Sequence, residues 1–134
     1  MTVHTDGGAR GNPGPAAIGV VITCGEDIQT ISRYIGETTN NFAEYTAVLD
    51  ALAFLPEHCL KTPELKRIDF FLDSQLVVCQ INGTYKVKEP TLQTLHAKII
   101  QMLPTLPVPT TFNHVPRAQN AGADKLVNQA LDAR

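Results

Sequence analysis

The chain has 134 residues, 43% of them apolar, which is one ordinary domain's worth of sequence and enough to bury a core without disulfides or a structural metal. Lys and Arg total 11 against 13 acids, a net charge of −2, so the chain lacks the basic balance usual among polyanion binders. Binding of a polyanion is then expected to be weak, salt-sensitive and confined to a local basic patch.

Taken in chain order, the first element is a very short strand ending at Asp6. The stretch Asp6 to Pro15, with four glycines and two prolines, reads as a loop. Ala16 to Cys24 is a β-branched apolar run and Ile28 to Ile35 a looser alternating one, joined by a hairpin at Gly25-Glu26-Asp27. Thr38-Thr39-Asn40-Asn41 supplies helix caps, and Phe42, Tyr45, Val48, Leu49 and Leu52 follow at helical spacing. That helix is expected to end near Leu55-Pro56, because the residue before a proline disfavours the α region. Lys66 to Leu72 reads as a strand, and Asp73-Ser74 as its end and the cap of a helix carrying Leu76, Val77 and Ile81. Asn82-Gly83 breaks that helix, and Thr91 to Leu103 forms another, stopped by Pro104 and Pro107. Thr110 to Val115 is a last strand, and Asn120 caps a final helix carrying Leu126, Val127, Ala130 and Leu131. Three strands, helix, strand, two helices, strand, helix is the order of a layered α/β domain with a mixed sheet. With no repeat and no linker, residues 1–134 are expected to form one domain.

Cys24, Cys59 and Cys79 are an odd number without a C-x-x-C pair, which points to buried, reduced thiols. No run approaches the roughly 20 apolar residues of a membrane span, and Met1 to Asp6 lacks the regions of a signal peptide. A soluble, cytoplasmic protein is the expectation.

Four acids lie at element boundaries: Asp6 and Asp73 at strand ends, Glu44 and Asp124 in the first turns of helices. Sites in α/β sheets gather at such places. Asp124 stands three before Val127 and seven before Leu131, along the packed face of its helix. Four converging carboxylates repel unless a cation compensates, and an all-oxygen donor set favours Mg²⁺ or Mn²⁺ over zinc. Two such ions ~4 Å apart clamp the attacking and leaving oxygens of a phosphodiester displacement. Each acid also has an ordinary reading: Asp6 can open a turn, Asp73 can cap a helix, and Glu44 and Asp124 can complement helix dipoles. Spacing alone leaves convergence open.

Four segments, in this order, resemble type 1 ribonuclease H: Thr5-Asp6-Gly7-Gly8-Ala9-Arg10-Gly11-Asn12-Pro13-Gly14, Thr38-Thr39-Asn40-Asn41-Phe42-Ala43-Glu44, Asp73-Ser74-Gln75, and Asn120-Ala121-Gly122-Ala123-Asp124. The resemblance spans essentially the whole chain. It implies a five-stranded mixed sheet, three antiparallel strands then two parallel, with helices on both faces. It implies that Asp6, Glu44, Asp73 and Asp124 are catalytic acids holding two Mg²⁺ ions, with Mn²⁺ a possible substitute. The implied reaction is hydrolysis of the RNA strand of an RNA–DNA hybrid, leaving 5′-phosphate and 3′-hydroxyl ends. By the same resemblance Gly7, Asn12, Asn40, Asn41 and Gln75 contact the hybrid, and Thr39 helps hold a phosphate of the DNA strand. Amides donate and accept, which suits 2′-hydroxyls and minor-groove edges. Turn and cap roles remain open for Asn12 and Asn41.

The chain departs from the wider family in ways that match a subgroup without the basic protrusion and without the catalytic-histidine loop. It has no Trp, and Asn82 to Pro90 is short, so Tyr85, Lys86 and Lys88 are either a minimal substitute for the protrusion or, the reading favoured here, a solvated turn. His114, ten residues before Asp124, belongs by pattern to the last strand and is given a structural role. Arg117 is the better phosphate contact, its fixed donor fork suiting phosphate oxygens. A monomer without an obligate protein partner is expected. The alternatives are a non-catalytic nucleic-acid-binding module on the same fold, which has no use for four repelling acids, and another nuclease such as an integrase or junction resolvase, disfavoured by the acid order and small size.

Overall fold

A computed structural model describes residues 1–58 and 64–134; Cys59, read above as a buried thiol, lies outside the described residues. Strands β1 (Thr2–Ala9), β2 (Gly14–Cys24) and β3 (Asp27–Thr38) come first, then helix α1 (Asn40–His58) and strand β4 (Ile68–Leu72). Helices α2 (Gln75–Ile81) and α3 (Pro90–Met102), strand β5 (Thr110–His114) and helix α4 (Ala121–Ala133) complete the order. The sheet runs β3-β2-β1-β4-β5, antiparallel across β3, β2 and β1 and parallel from β1 through β4 to β5. Alternation along the strands sorts the side chains. Val3, Ile18, Val20, Ile22, Phe70 and Phe112 join Tyr45, Val48, Leu52 and Ile99 in the main core under α1 and α3. Ala17 packs instead with Val127 and Leu131 of α4, on the opposite face. Among the described residues no helix is long and apolar enough to cross a membrane.

Five local expectations are corrected. The first strand does not stop at Asp6: β1 continues to Ala9 and pairs with β2 up to Ala16, so the loop is only residues 10–13. Glycines usually weaken a strand, but here helices press on it from both sides. A Cβ on Gly7 would lie 2.2 Å from the Ala43 carbonyl carbon of α1. Helix α1 passes through Pro56 to His58. The proline falls in the last turn, after the buried Leu52 and Leu55, and His58 stacks on Phe54 while its Nδ1–H donates to the Phe54 carbonyl. At its other end α1 starts at Asn40, inside the expected cap, so Glu44 is its fifth residue, a turn deeper than expected. Asn120 precedes α4 without a side-chain capping bond; its amide is used elsewhere. Caps at Thr39 and Ser74 do form, accepting from the Phe42 and Val77 amides at 3.2 and 3.3 Å. Cys24 and Cys79 are free thiols, half-buried rather than buried.

Candidate active site

Two close approaches of backbone to strand bring the acids together. Gly7 lets α1 lie against β1, so that Glu44 reaches the Asp6 carboxylate past the strand. Gly19, the register partner of Asp6 on β2, does the same for α4: a Cβ there would meet the Ala123 carbonyl oxygen at 2.2 Å. That contact seats the first turn of α4, and with it Asp124, beside β1. Asp73 follows the last residue of β4, whose Leu72 pairs with Thr5. The outcome is a group of Asp6, Glu44 and Asp73 whose ligand atoms all lie within 4.8 Å of one another. Asp6, Glu44, Asp73 and Asp124 all line one cavity of about 310 Å³. Asp124 stands outside the tight trio, its side chain 31% exposed.

The electrostatics follow from this crowding. Burial, then the Asp73 charge, raises the Asp6 carboxyl to about 7. Burial, then the charges of Asp6 and Asp73, pushes Glu44 well above the usual carboxylate range. The proximity of the Asp6 and Glu44 carboxyl groups adds to the rise at Glu44 and offsets part of it at Asp6, while the Gly7 amide opposes the rise at Glu44. Glu44 Oε2 is buried without a hydrogen-bond partner. The donor set is all oxygen and crowded, and a cation would relieve the repulsion that raises its carboxyl groups, so these residues fit a hard divalent metal ion.

Sequence reasoning read Asn120 only as a cap. It is 1% exposed, and its Nδ2 donates to the Thr5 carbonyl at 2.8 Å and to Asp73 Oδ2 at 3.4 Å. It thus ties the start of α4 to β1 and to the third acid. No local pattern distinguishes this role from a cap, because its partners are 115 and 47 residues away. Gly19 was missed for the same reason.

The reverse transcriptase-like family profile matches residues 4–130. A ribonuclease H1 recovered from compost by a metagenomic approach is 48% identical, with 98% of this chain and 95% of that one covered and a TM-score of 0.90. The chain belongs to the type 1 ribonuclease H family. The compost ribonuclease H1 has also been solved in complex with an RNA/DNA hybrid. The ribonuclease H1 of the halophilic archaeon Halobacterium salinarum is 35% identical over 99% of this chain and 98% of that one, with a TM-score of 0.86. A bifunctional protein of Mycobacterium tuberculosis is 36% identical over 99% of this chain, which spans only 36% of that protein's length.

The other residues singled out by the ribonuclease H resemblance do not all gather at the acids. Gly7, Asn40 and Arg117 line the acid cavity. The Arg117 guanidinium, 81% exposed, lies 3.5 Å from Asp124 Oδ1, a loose surface pair. Asn12 and Asn40 tie the loop after β1 to the start of α1: Asn12 Oδ1 accepts from the Asn40 amide at 3.0 Å, and Asn40 Oδ1 from the Ala9 amide at 2.8 Å. Thr39 caps α1 with its hydroxyl. Asn41 lines a second cavity with Leu76, Tyr85, Lys86 and Lys88, and Gln75 is exposed at the start of α2. His114 ends β5 and is exposed, outside the residues lining the acid cavity.

Proposed function

We propose that the protein is a metal-dependent endoribonuclease that hydrolyses the RNA strand of RNA–DNA hybrids, leaving 5′-phosphate and 3′-hydroxyl ends. The carrying observation is the trio of Asp6, Glu44 and Asp73, with ligand atoms within 4.8 Å of one another, in a chain 48% identical to a relative solved with such a hybrid. In this reading Asp6, Glu44, Asp73 and Asp124 are the catalytic acids and hold two Mg²⁺ ions, with Mn²⁺ as a substitute. Bound there, the cations lower the pKa of water and neutralise charge developing on the phosphoryl group.

The remaining work belongs to the chain's own residues. Asp6 and Glu44, raised by burial, would lose their protons to hold metal, while Asn120 keeps the Asp73 carboxylate oriented. Arg117, held only by a loose pair, is free to turn its fork to a phosphate. Gly7, Asn12, Thr39, Asn40, Asn41 and Gln75, on β1, its loop and the starts of α1 and α2, are the proposed substrate contacts. One continuous sheet from β1 to β5 supports a single domain, and a monomer suffices because every acid comes from one chain. Free thiols at Cys24 and Cys79 suit the cytoplasm.

The test is cleavage of an end-labelled RNA–DNA hybrid with Mg²⁺, beside single-stranded RNA, duplex DNA and an Asp73→Asn variant. Cleavage confined to the RNA strand of the hybrid and lost in the variant is expected. A folded protein that binds the hybrid but does not cut it with Mg²⁺ or Mn²⁺ would be a binding module instead.

A further inference from the structure

The segment between α2 and α3, residues 82–89, has no regular structure and carries Tyr85, Lys86 and Lys88. Its composition is that of a mobile turn, yet its backbone is held along its length. The Thr84 and Tyr85 amides both donate to the Cys79 carbonyl, at 2.8 and 3.1 Å. The Gln93 carboxamide donates to the Val87 carbonyl at 2.9 Å. The central tie comes from Gln80, which is 6% exposed: its Nε2 donates to the Lys86 carbonyl at 3.2 Å. Its Oε1 accepts from the hydroxyl of Tyr45, a fully buried residue of α1, and its backbone carbonyl accepts from His96 Nε2 of α3 at 2.9 Å. One buried glutamine thereby joins three helices to the loop.

A buried carboxamide is a poor choice for core stability alone, since an apolar residue of similar volume needs no partners. What it supplies is a fixed position for Lys86. The loop it fixes lines a cavity of about 550 Å³ together with Asn41 and Leu76, and Asn41 is the chain neighbour of Asn40 in the acid cavity. Leu76 and Tyr85 are 40% and 47% exposed. Two lysines beside an aromatic ring and an aliphatic side chain match a phosphate–sugar strand, with Glu89 the one acid on the rim.

Resting on the function proposed above, we infer that Gln80 is a positioning residue: it holds the Tyr85–Lys88 loop as a preformed grip for a strand of the hybrid beside the acid site. A rigid grip avoids the cost of ordering a loop and two lysines during binding.

The experiment is a double-mutant cycle on hybrid cleavage and on hybrid binding by fluorescence anisotropy. Gln80→Met keeps the volume and removes the Lys86 tie together with the acceptor of the Tyr45 hydroxyl; it is expected to raise KM and Kd about 5- to 10-fold, with the effect on KM rather than kcat. In a Lys86→Ala/Lys88→Ala background the same substitution is expected to add less than about twofold, because its effect runs through those lysines. Gln93→Ala, at an exposed position, removes only the Val87 tie and provides the check if Gln80→Met folds poorly; a smaller rise in KM is expected. Unchanged KM in Gln80→Met and Gln93→Ala, or an undiminished rise without the lysines, would overturn the inference. Absence of cleavage by the unsubstituted protein would instead defeat the underlying activity, and the anisotropy arm reads the grip independently of it.

Discussion

Asp6 and Glu44 are individually costly residues. Each is a carboxyl group buried next to other carboxyl groups, and burial dominates the rise in both. The direction fixes a pH dependence. Asp6 titrates near 3.8 when unfolded and at about 7 in the folded chain, so between those values the folded state binds the extra proton. This contribution therefore stabilises on the acid side and is lost as pH rises through about 7, and Glu44 acts in the same sense. In EDTA, the melting temperature is expected to fall between about pH 5 and about pH 8, and to fall less in Glu44→Gln. Added Mg²⁺ should raise the melting temperature of the unsubstituted protein more at the higher pH, where no proton competes for the ligands. Parallel falls in the two proteins would show that the acid cluster is not the cause.

At the scale of elements, the site depends on how closely helices approach strands. Asp6, Glu44 and Asp73 come from β1, α1 and the end of β4, and no two of them are near neighbours in sequence. Gly7 sets the separation of α1 from β1, because its missing Cβ leaves room for the Ala43 backbone. Gly7→Ala would put a carbon 2.2 Å from a helix carbonyl, and since neither partner is a flexible side chain, α1 or β1 must move. A loss of about 3 kcal/mol or more is expected in urea unfolding, together with a fall in kcat, because Glu44 moves with its helix. Gly8→Ala is the matched control: its Cβ would make ordinary contact with the Val127 side chain at 3.7 Å, and stability should change far less. Equal effects of the two substitutions would contradict this account.

For the whole molecule, charge is the governing quantity. A net charge of −2, with acids concentrated in the cavity, works against a polyanionic substrate until cations neutralise that site. The basic groups available near the two cavities are few: Arg117, Lys86, Lys88 and Arg10, the last paired with Asp132 at 2.6 Å. Hybrid binding is therefore expected to be weak without divalent metal, and to weaken steeply with salt. A plot of log affinity against log salt should have a slope of about −0.9 for each phosphate neutralised. Arg117→Ala should reduce the slope by about one contact, while shifting stability by no more than about 0.5 kcal/mol, as expected of an exposed pair. An unchanged slope would remove Arg117 from the substrate contacts.

The element order, the mixed α/β class and the caps at Thr39 and Ser74 are legible in the amino-acid sequence. These depend on local patterns: period-2 and period-3.6 apolar spacing, Thr39 before Phe42, Ser74 before Val77. It also named the four acids, through motif order that carries a family resemblance, although their spacing could not show convergence. The run of glycines after Asp6 misled because composition reports a chain's freedom and not what presses upon it. Only the packing of α1 and α4 makes Gly7 and Gly8 part of a strand. Which acids meet, that Asn120 braces Asp73, and that Gln80 holds the lysine loop were decided by tertiary structure alone. Each rests on contacts between segments distant in sequence or on burial, and a window of local residues contains neither.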